Sequence, residues 1–127
     1  MASKLTILLF WAPLLLSLLL HTGYAINGER CEKNGPSLKQ TQTGFNKPPT
    51  YTVEVQNTCP TCPVIDIHVK CGNFSQGLVN PRVFRVLGHN DCVVNNGSPL
   101  EPLQKMSFKY SHSMYALNPS TWYYQCE

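Results

Sequence analysis

The chain has 127 residues, enough for one small domain, and it combines six cysteines, ten prolines and eight glycines with only 13% charged residues. Its formal net charge is +3, and no block of basic residues could follow a phosphate backbone, so we expect no nucleic-acid partner. The many prolines and glycines also argue against long helices.

The first 25 residues have the three-part pattern of an export signal. Lys4 precedes an apolar stretch over residues 5–20, and the small residues Gly23 and Ala25 stand at positions −3 and −1 of a cleavage site. The stretch is shorter than the roughly 20 apolar residues that span a bilayer, and a proline interrupts it. We therefore predict a signal peptide at residues 1–25, a mature protein secreted to the extracellular space or apoplast, and no membrane insertion after cleavage.

The next segment, residues 26–48, is polar and rich in Gly, Asn, Gln and Thr, and its one strong anchor is Cys31. Pro48 and Pro49 then force an extended backbone. We interpret residues 26–48 as an ordered arm tied down by Cys31, and residues 49–127 as the folded core.

Two stretches that alternate between apolar and polar residues predict β-strands at residues 51–56 and 64–70. In the second stretch Ile65, Ile67 and Val69 are predicted to face the core. The Pro-rich connection between the stretches suggests that they form an antiparallel pair. Weaker strands are predicted at residues 83–87, 92–94, 106–110 and 122–126. Short strands separated by turn residues predict an all-β fold, a small disulfide-stapled antiparallel β-sandwich.

The cysteines lie at positions that suit a disulfide framework, as expected for an even number in a short exported chain. If the two alternating stretches pair, Cys71 lies at the open end near the incoming arm, which favours a Cys31–Cys71 bond. The remaining four would then pair between the two ends of the core, in an order that the sequence leaves open. These four are Cys59 and Cys62 on one side, and Cys92 and Cys126 on the other.

The motif Cys59-Pro60-Thr61-Cys62 allows two further interpretations. Dithiol oxidoreductases place such a motif at a helix N-terminus, which lowers the pKa of the first thiol, but here a proline and a β-branched stretch follow. A zinc site would need a second close pair of ligands, which the sequence does not offer. We therefore expect structural disulfides, with no metal and no cofactor.

The remaining polar residues do not form a recognisable catalytic set. His68 occupies a solvent-facing strand position, and the chain contains no Gly-x-Ser-x-Gly elbow or Gly-rich phosphate loop. We therefore predict that the protein is not an enzyme. Asn73 begins an Asn-Phe-Ser sequon and is the better glycosylation candidate, because the second sequon, at Asn96, lies in a tight turn followed by Pro99.

The aromatic end of the chain has two interpretations. Alternation places Trp122 and Tyr124 on one face of a strand and Tyr123 on the other. Such residues most often pack in a core, but Trp122 and Tyr124 could instead form a flat platform for sugar rings. An extracellular carbohydrate- or cell-wall-binding module, with cell-wall polysaccharide as its partner, therefore stays open as an alternative function.

A more specific pattern runs in order through the middle of the chain. It consists of residues 49–55, 66–74, 80–87 and 90–95, then Gly97, Pro99, Leu100, Phe108 and Tyr110. Together with six cysteines and a signal peptide, this pattern resembles the tapetum determinant-like family of plant secreted cysteine-rich proteins.

The resemblance implies a secreted signalling ligand that is recognised by a leucine-rich-repeat receptor kinase and acts in cell-fate specification in the anther. Loops on a rigid scaffold often carry recognition, and arginine is enriched at binding hot spots. The expected receptor contacts are therefore Arg82, Arg85, His89, Asn90 and Asp91.

A structural or defence-type cystine-rich protein without a single receptor is a third alternative for the function.

Overall fold

A computed structural model describes residue 31 and residues 34–126, so the predicted signal peptide lies outside the described residues. This part of the chain forms seven strands and two short 3-10 helices, and it contains no helix of the length and apolarity needed to cross a membrane. The strands are β1 Ser37–Gly44, β2 Thr50–Gln56, β3 Val64–Lys70, β4 Phe84–Gly88, β5 Asp91–Val94, β6 Lys105–Ser111 and β7 Asn118–Tyr124, and the 3-10 helices are Gln76–Leu78 and Asn95–Gly97.

The strands form two antiparallel sheets, with strand orders β1-β2-β6 and β4-β5-β3-β7. Apolar side chains of both sheets meet in one core, where the Phe84 ring of β4 stacks on the Phe108 ring of β6 with centroids 4.7 Å apart. Phe74 packs edge-on against Phe84 and against Tyr110 of β6. The predicted all-β, disulfide-stapled sandwich is confirmed.

The predicted pairing of residues 51–56 with residues 64–70 is wrong. Strand β2 pairs with β1 and β6, whereas β3 pairs with β5 and β7 in the other sheet. Each strand occupies an inner position of its sheet and needs two neighbours, which come from distant parts of the sequence. Alternation identifies the buried face of a strand, but it carries no information on which strands lie beside it.

The polar segment before Pro49, interpreted above as an arm, contributes a strand to the sandwich. Its residues 37–44 form β1, which pairs along its length with β2, and Leu38 packs against the core. The side chain of Gln40 also accepts a hydrogen bond from the buried Tyr110 hydroxyl, with the two oxygens 2.6 Å apart. The folded core therefore begins before residue 49.

A β-bulge changes which residues of β3 face the core. Ile65 pairs with Tyr123 and His68 with Thr121, so β3 has one extra residue in this interval, and Asp66 has a φ of 52°. Ile67 and Val69 are buried as predicted, together with Val64. The prediction for Ile65 is wrong, because the bulge places Ile65 and His68 on the outer face.

The disulfides pair Cys31 with Cys59, Cys62 with Cys126, and Cys71 with Cys92. The expected Cys31–Cys71 bond is wrong, because it relied on a hairpin between β2 and β3 that does not form. Cys71 instead bonds to Cys92 on β5, the neighbour of β3. Cys62–Cys126 is one of the pairings that the sequence left open. For Cys59 and Cys92 the expectation is wrong, because these two bond to Cys31 and Cys71.

Candidate functional site

The outer surface of the four-stranded sheet contains a row of side chains that crosses all four strands. The register places Arg85 opposite Val93, Val93 opposite His68, and His68 opposite Thr121. The neighbours of Val93 along β5, Cys92 and Val94, belong to the core cluster, whereas Val93 does not. Val93 is nevertheless only 6% exposed. Its burial therefore comes from the side chains beside it on the outer surface. We call this surface the Arg85 face.

Apolar groups flank this row. Leu87 lies two residues beyond Arg85 on the same strand and is 51% exposed, and Tyr123 lies two residues beyond Thr121 and is 63% exposed. Ile65 stands opposite Tyr123 in the register. The face thus carries an arginine and an exposed leucine on one edge strand and an exposed tyrosine on the other. Aromatic residues and arginine are enriched in protein–protein interfaces.

Polar contacts hold the charged groups of the face in place. The Arg85 Nε donates a hydrogen bond to the Asn96 Oδ1 at 2.9 Å, which restrains the guanidinium. The His68 Nδ1 lies 2.8 Å from the Asp91 Oδ1, and this pair joins β3 to β5. Because these side chains are already ordered, they would lose less conformational entropy when a partner binds.

The turn between β4 and β5 is fixed to the loop after β3, and we call residues 71–73 and 88–90 the tip. The Cys71–Cys92 disulfide joins the two segments. The Asn90 backbone N–H donates to the Gly72 carbonyl at 2.6 Å, and the Gly72 N–H donates to the Asn90 Oδ1 at 2.9 Å. Asn90 has a φ of 58°, a conformation that asparagine tolerates well. The tip is therefore a rigid end to the Arg85 face.

The structure divides the five predicted receptor contacts between different places. Arg85 and Asp91 lie on the Arg85 face, and His89 is exposed in the tip. Asn90 has a structural role, because its side chain bonds to the neighbouring loop. Arg82 lies in the turn before β4, where its backbone N–H donates to the Asn80 Oδ1 and its guanidinium has no partner among the described residues.

Sequence reasoning missed Leu87, Tyr123, Val93 and His68 as members of this surface. A signal for Leu87 was present in the sequence, since Phe84 and Val86 alternate as one apolar face of a strand and Leu87 is an apolar residue outside that alternation. The other three could not be grouped without the strand order. Their strands are far apart in sequence, and only the sheet places them side by side.

The sugar platform proposed for the aromatic end is wrong. The Tyr124 side chain is buried, its hydroxyl donates to the Asn34 carbonyl at 2.6 Å, and burial raises the pKa of its phenol. Trp122 packs against the core and lies over Gly35, where an added Cβ would come within 2.3 Å of the indole ring. Both rings are thus used for packing, and Tyr123 is the exposed aromatic of this strand.

The outer surface of the three-stranded sheet has a different character, and we call it the lysine face. Lys39 and Lys105 flank Glu54, with Nζ–Oε distances of 3.9 and 3.8 Å. No large hydrophobic side chain is exposed on β1, β2 or β6. Two hydroxyl pairs also lie on this face, Thr43 with Thr52 and Thr50 with Ser111.

The geometry therefore describes a small cystine-stapled β-sandwich in which one outer sheet face carries exposed apolar side chains together with charged ones. Residues 33–127 match the family described as Tapetum determinant 1, C-terminal. The chain belongs to this tapetum determinant-like plant family, as the sequence pattern suggested.

Individual relatives agree with this assignment. An uncharacterized protein of Arabidopsis thaliana is 44% identical over 124 residues, which are 94% of both chains. The Arabidopsis protein named TPD1 protein homolog 1 is 48% identical over 68% of this chain and 50% of its own length. The rice protein named TPD1 protein homolog 1B is 47% identical over 51% of this chain and 39% of its own length. The matched region thus spans half or less of these two named relatives. No solved structure matches the chain.

Proposed function

We propose that the protein is a secreted signalling ligand whose Arg85 face binds the ectodomain of a plant leucine-rich-repeat receptor kinase, in a cell-fate pathway of the anther type. The observation that carries the proposal is the composition of this face, on which an ordered arginine lies beside the exposed Leu87 on edge strand β4 and the exposed Tyr123 lies on the other edge strand, β7. The receptor class and the pathway follow from the family resemblance, and three disulfides suit an extracellular protein.

The edge of β4 supports binding through the face of the sheet rather than through strand addition. A partner strand would need the free N–H and C=O groups at this edge. The Gln76 side chain already occupies them, since its Nε2 donates to the Phe84 carbonyl at 3.0 Å and its Oε1 accepts from the Val86 N–H at 2.7 Å. A partner therefore meets side chains here rather than open backbone.

Affinity measurements against a panel of leucine-rich-repeat receptor kinase ectodomains, with the oxidised mature protein as analyte, test the proposal. We expect one ectodomain to bind. Arg85→Glu should weaken that binding about 100-fold, because arginine is a common hot spot in interfaces and the substitution reverses its charge. The matched control is Lys109→Glu on the exposed surface of β6, which should change affinity less than threefold.

Two results would count against the proposal. If no ectodomain binds, the receptor class is wrong. If Arg85→Glu and Lys109→Glu weaken binding equally, overall charge matters and the Arg85 face is not the contact surface. Arg82→Ala, measured in the same series, determines whether the turn before β4 extends the contact.

We also propose that Asn73 carries an N-linked glycan. Its side chain is exposed in the tip and makes no hydrogen bond within the described residues, whereas the Asn96 Oδ1 accepts the hydrogen bond from Arg85. Mass spectrometry of the protein secreted from plant cells should find one glycan, removed by Asn73→Gln and retained in Asn96→Gln. An unmodified Asn73 in the secreted protein would contradict this assignment.

A further inference from the structure

Two of the three disulfides lie in contact with each other at the C-x-x-C turn. The sulfurs of Cys31, Cys59 and Cys62 are all within 4.8 Å of one another, although Cys31 is bonded to Cys59 and Cys62 to Cys126. Within the described residues, no third cysteine sulfur lies this close to both sulfurs of the Cys71–Cys92 bond. The molecule therefore contains one isolated disulfide and one adjacent pair.

The turn supplies hydrogen-bond donors to these sulfurs. The backbone N–H groups of Cys62 and Thr61 point at the Cys59 Sγ from 3.1 and 3.4 Å. The Thr61 Oγ1 lies 3.4 Å from the Cys59 Sγ, 3.5 Å from the Cys62 Sγ and 3.8 Å from the Cys31 Sγ. Donors beside a sulfur stabilise a thiolate, and one hydroxyl here reaches all three atoms.

The conformation of the turn is held by Asn57, which is fully buried. Its Nδ2 donates to the carbonyls of Cys62 and Leu100 at 2.9 and 3.0 Å, and its Oδ1 accepts from the Cys59 N–H at 2.9 Å. The positions of Cys59 and Cys62 therefore do not depend on their present disulfide partners alone.

Exposure to solvent differs between the four cysteine residues. Cys31, Cys59 and Cys62 are 4%, 2% and 5% exposed, whereas Cys126 is exposed beyond the end of β7. An external thiolate can therefore reach the pair at Cys126 before any other position, since disulfide exchange requires direct approach to a sulfur.

We propose that this turn is a thiol–disulfide exchange site that acts with a low-molecular-weight thiol. The external thiolate attacks the Cys126 Sγ, a mixed disulfide forms there, and the electron pair of the broken bond leaves Cys62 as a thiolate. After rotation of its side chain, Cys62 attacks the Cys59 Sγ and forms a Cys59–Cys62 disulfide. The Cys31–Cys59 bond breaks, and Cys31 leaves as a thiolate that takes a proton from water. Two disulfides are present before and after the exchange.

The Thr61 hydroxyl is a positioning group in this sequence. It can donate first to the Cys62 thiolate and then to the departing Cys31 thiolate, because it contacts both sulfurs. The result is that a single attack releases Cys31 and Cys126 together, while Cys71–Cys92 continues to hold the tip. The proposal does not depend on the receptor, so either can fail without the other.

Peptide mapping after brief exposure of the oxidised mature protein to reduced glutathione, with N-ethylmaleimide as the quench, tests the exchange. We expect glutathione on Cys126, N-ethylmaleimide on Cys31, a new Cys59–Cys62 disulfide and an intact Cys71–Cys92. N-ethylmaleimide on Cys62 with Cys31–Cys59 intact would overturn the proposal. A Cys31–Cys62 bond, or no glutathione adduct at Cys126, would overturn it as well.

The role of Thr61 is tested by Thr61→Val, which keeps the shape and the backbone N–H but removes the hydroxyl. Formation of the Cys59–Cys62 disulfide should slow by about tenfold, the effect of losing one hydrogen bond to a charged group. Thr41→Val, at an exposed position of β1, is the matched control and should leave the rate unchanged. Equal rates in the two variants would remove Thr61 from the mechanism.

Discussion

The two outer faces of the sandwich are both surfaces of antiparallel sheets, but they expose different side chains to solvent. The lysine face is covered by lysines, one glutamate and hydroxyl groups, whereas the Arg85 face combines one arginine and one histidine–aspartate pair with exposed Leu87 and Tyr123. A solvated sheet face needs only the first arrangement. This difference is the reason why the Arg85 face, rather than the lysine face, is the contact surface proposed above.

The two sides of β7 provide the largest expected contrast. Trp122→Ala removes a ring packed over Gly35, so it should lower the free energy of unfolding by about 3 kcal/mol. Tyr123→Ala, one residue further on but outward-facing, should change it by less than about 0.5 kcal/mol and weaken receptor binding instead. Thermal unfolding of the two variants provides the measurement, and similar melting temperatures would contradict the division between the two sides.

A second prediction concerns the end of the Arg85 face. Asn90→Ala should lower the free energy of unfolding by about 2 kcal/mol, because alanine is unfavourable at a φ of 58° and the hydrogen bond from the Gly72 N–H is lost. Asn90→Gly keeps the backbone conformation and should cost about half as much. Chemical denaturation measures both. Equal costs would show that the backbone conformation contributes nothing at this position.

Leu87 tests whether the apolar part of the face takes part in binding. Leu87→Ser should weaken receptor binding about tenfold and leave the melting temperature unchanged, because the side chain is half exposed. Leu103→Ser is the matched control, since Leu103 is 53% exposed but lies outside both faces, just before β6. If both substitutions weaken binding to the same extent, general hydrophobicity rather than the Arg85 face is responsible.

The smallest effect is expected on the lysine face. Lys39→Gln and Lys105→Gln each remove one of the two ion pairs to Glu54, whose Nζ–Oε distances are near the upper limit for such a pair. Each should change the free energy of unfolding by less than about 0.5 kcal/mol and leave receptor binding unchanged, since exposed ion pairs contribute little. A loss of binding in either variant would show that the contact surface extends to the lysine face.

The sequence by itself determined the fold class, the positions of most strands and the family. Residues 64–70 alternate because one side of β3 is buried, and the many turn residues limit strand length, so both features are local and visible in the chain. Arg85 was chosen on a different ground, as an arginine in a polar stretch between cysteines, because arginine is enriched at binding hot spots. Its role as a receptor contact stays a prediction. The local pattern also distinguished Trp122 and Tyr124 from Tyr123.

Only the tertiary structure decided which strands, cysteines and outer side chains lie next to each other. The bulge at Asp66 moved Ile65 to the outer face, and the separation of β2 and β3 into different sheets changed the disulfide pairing. The row from Arg85 to Thr121 exists because strands distant in sequence lie side by side. Strand order depends on the packing of the whole core, and no residue pattern within one strand encodes it.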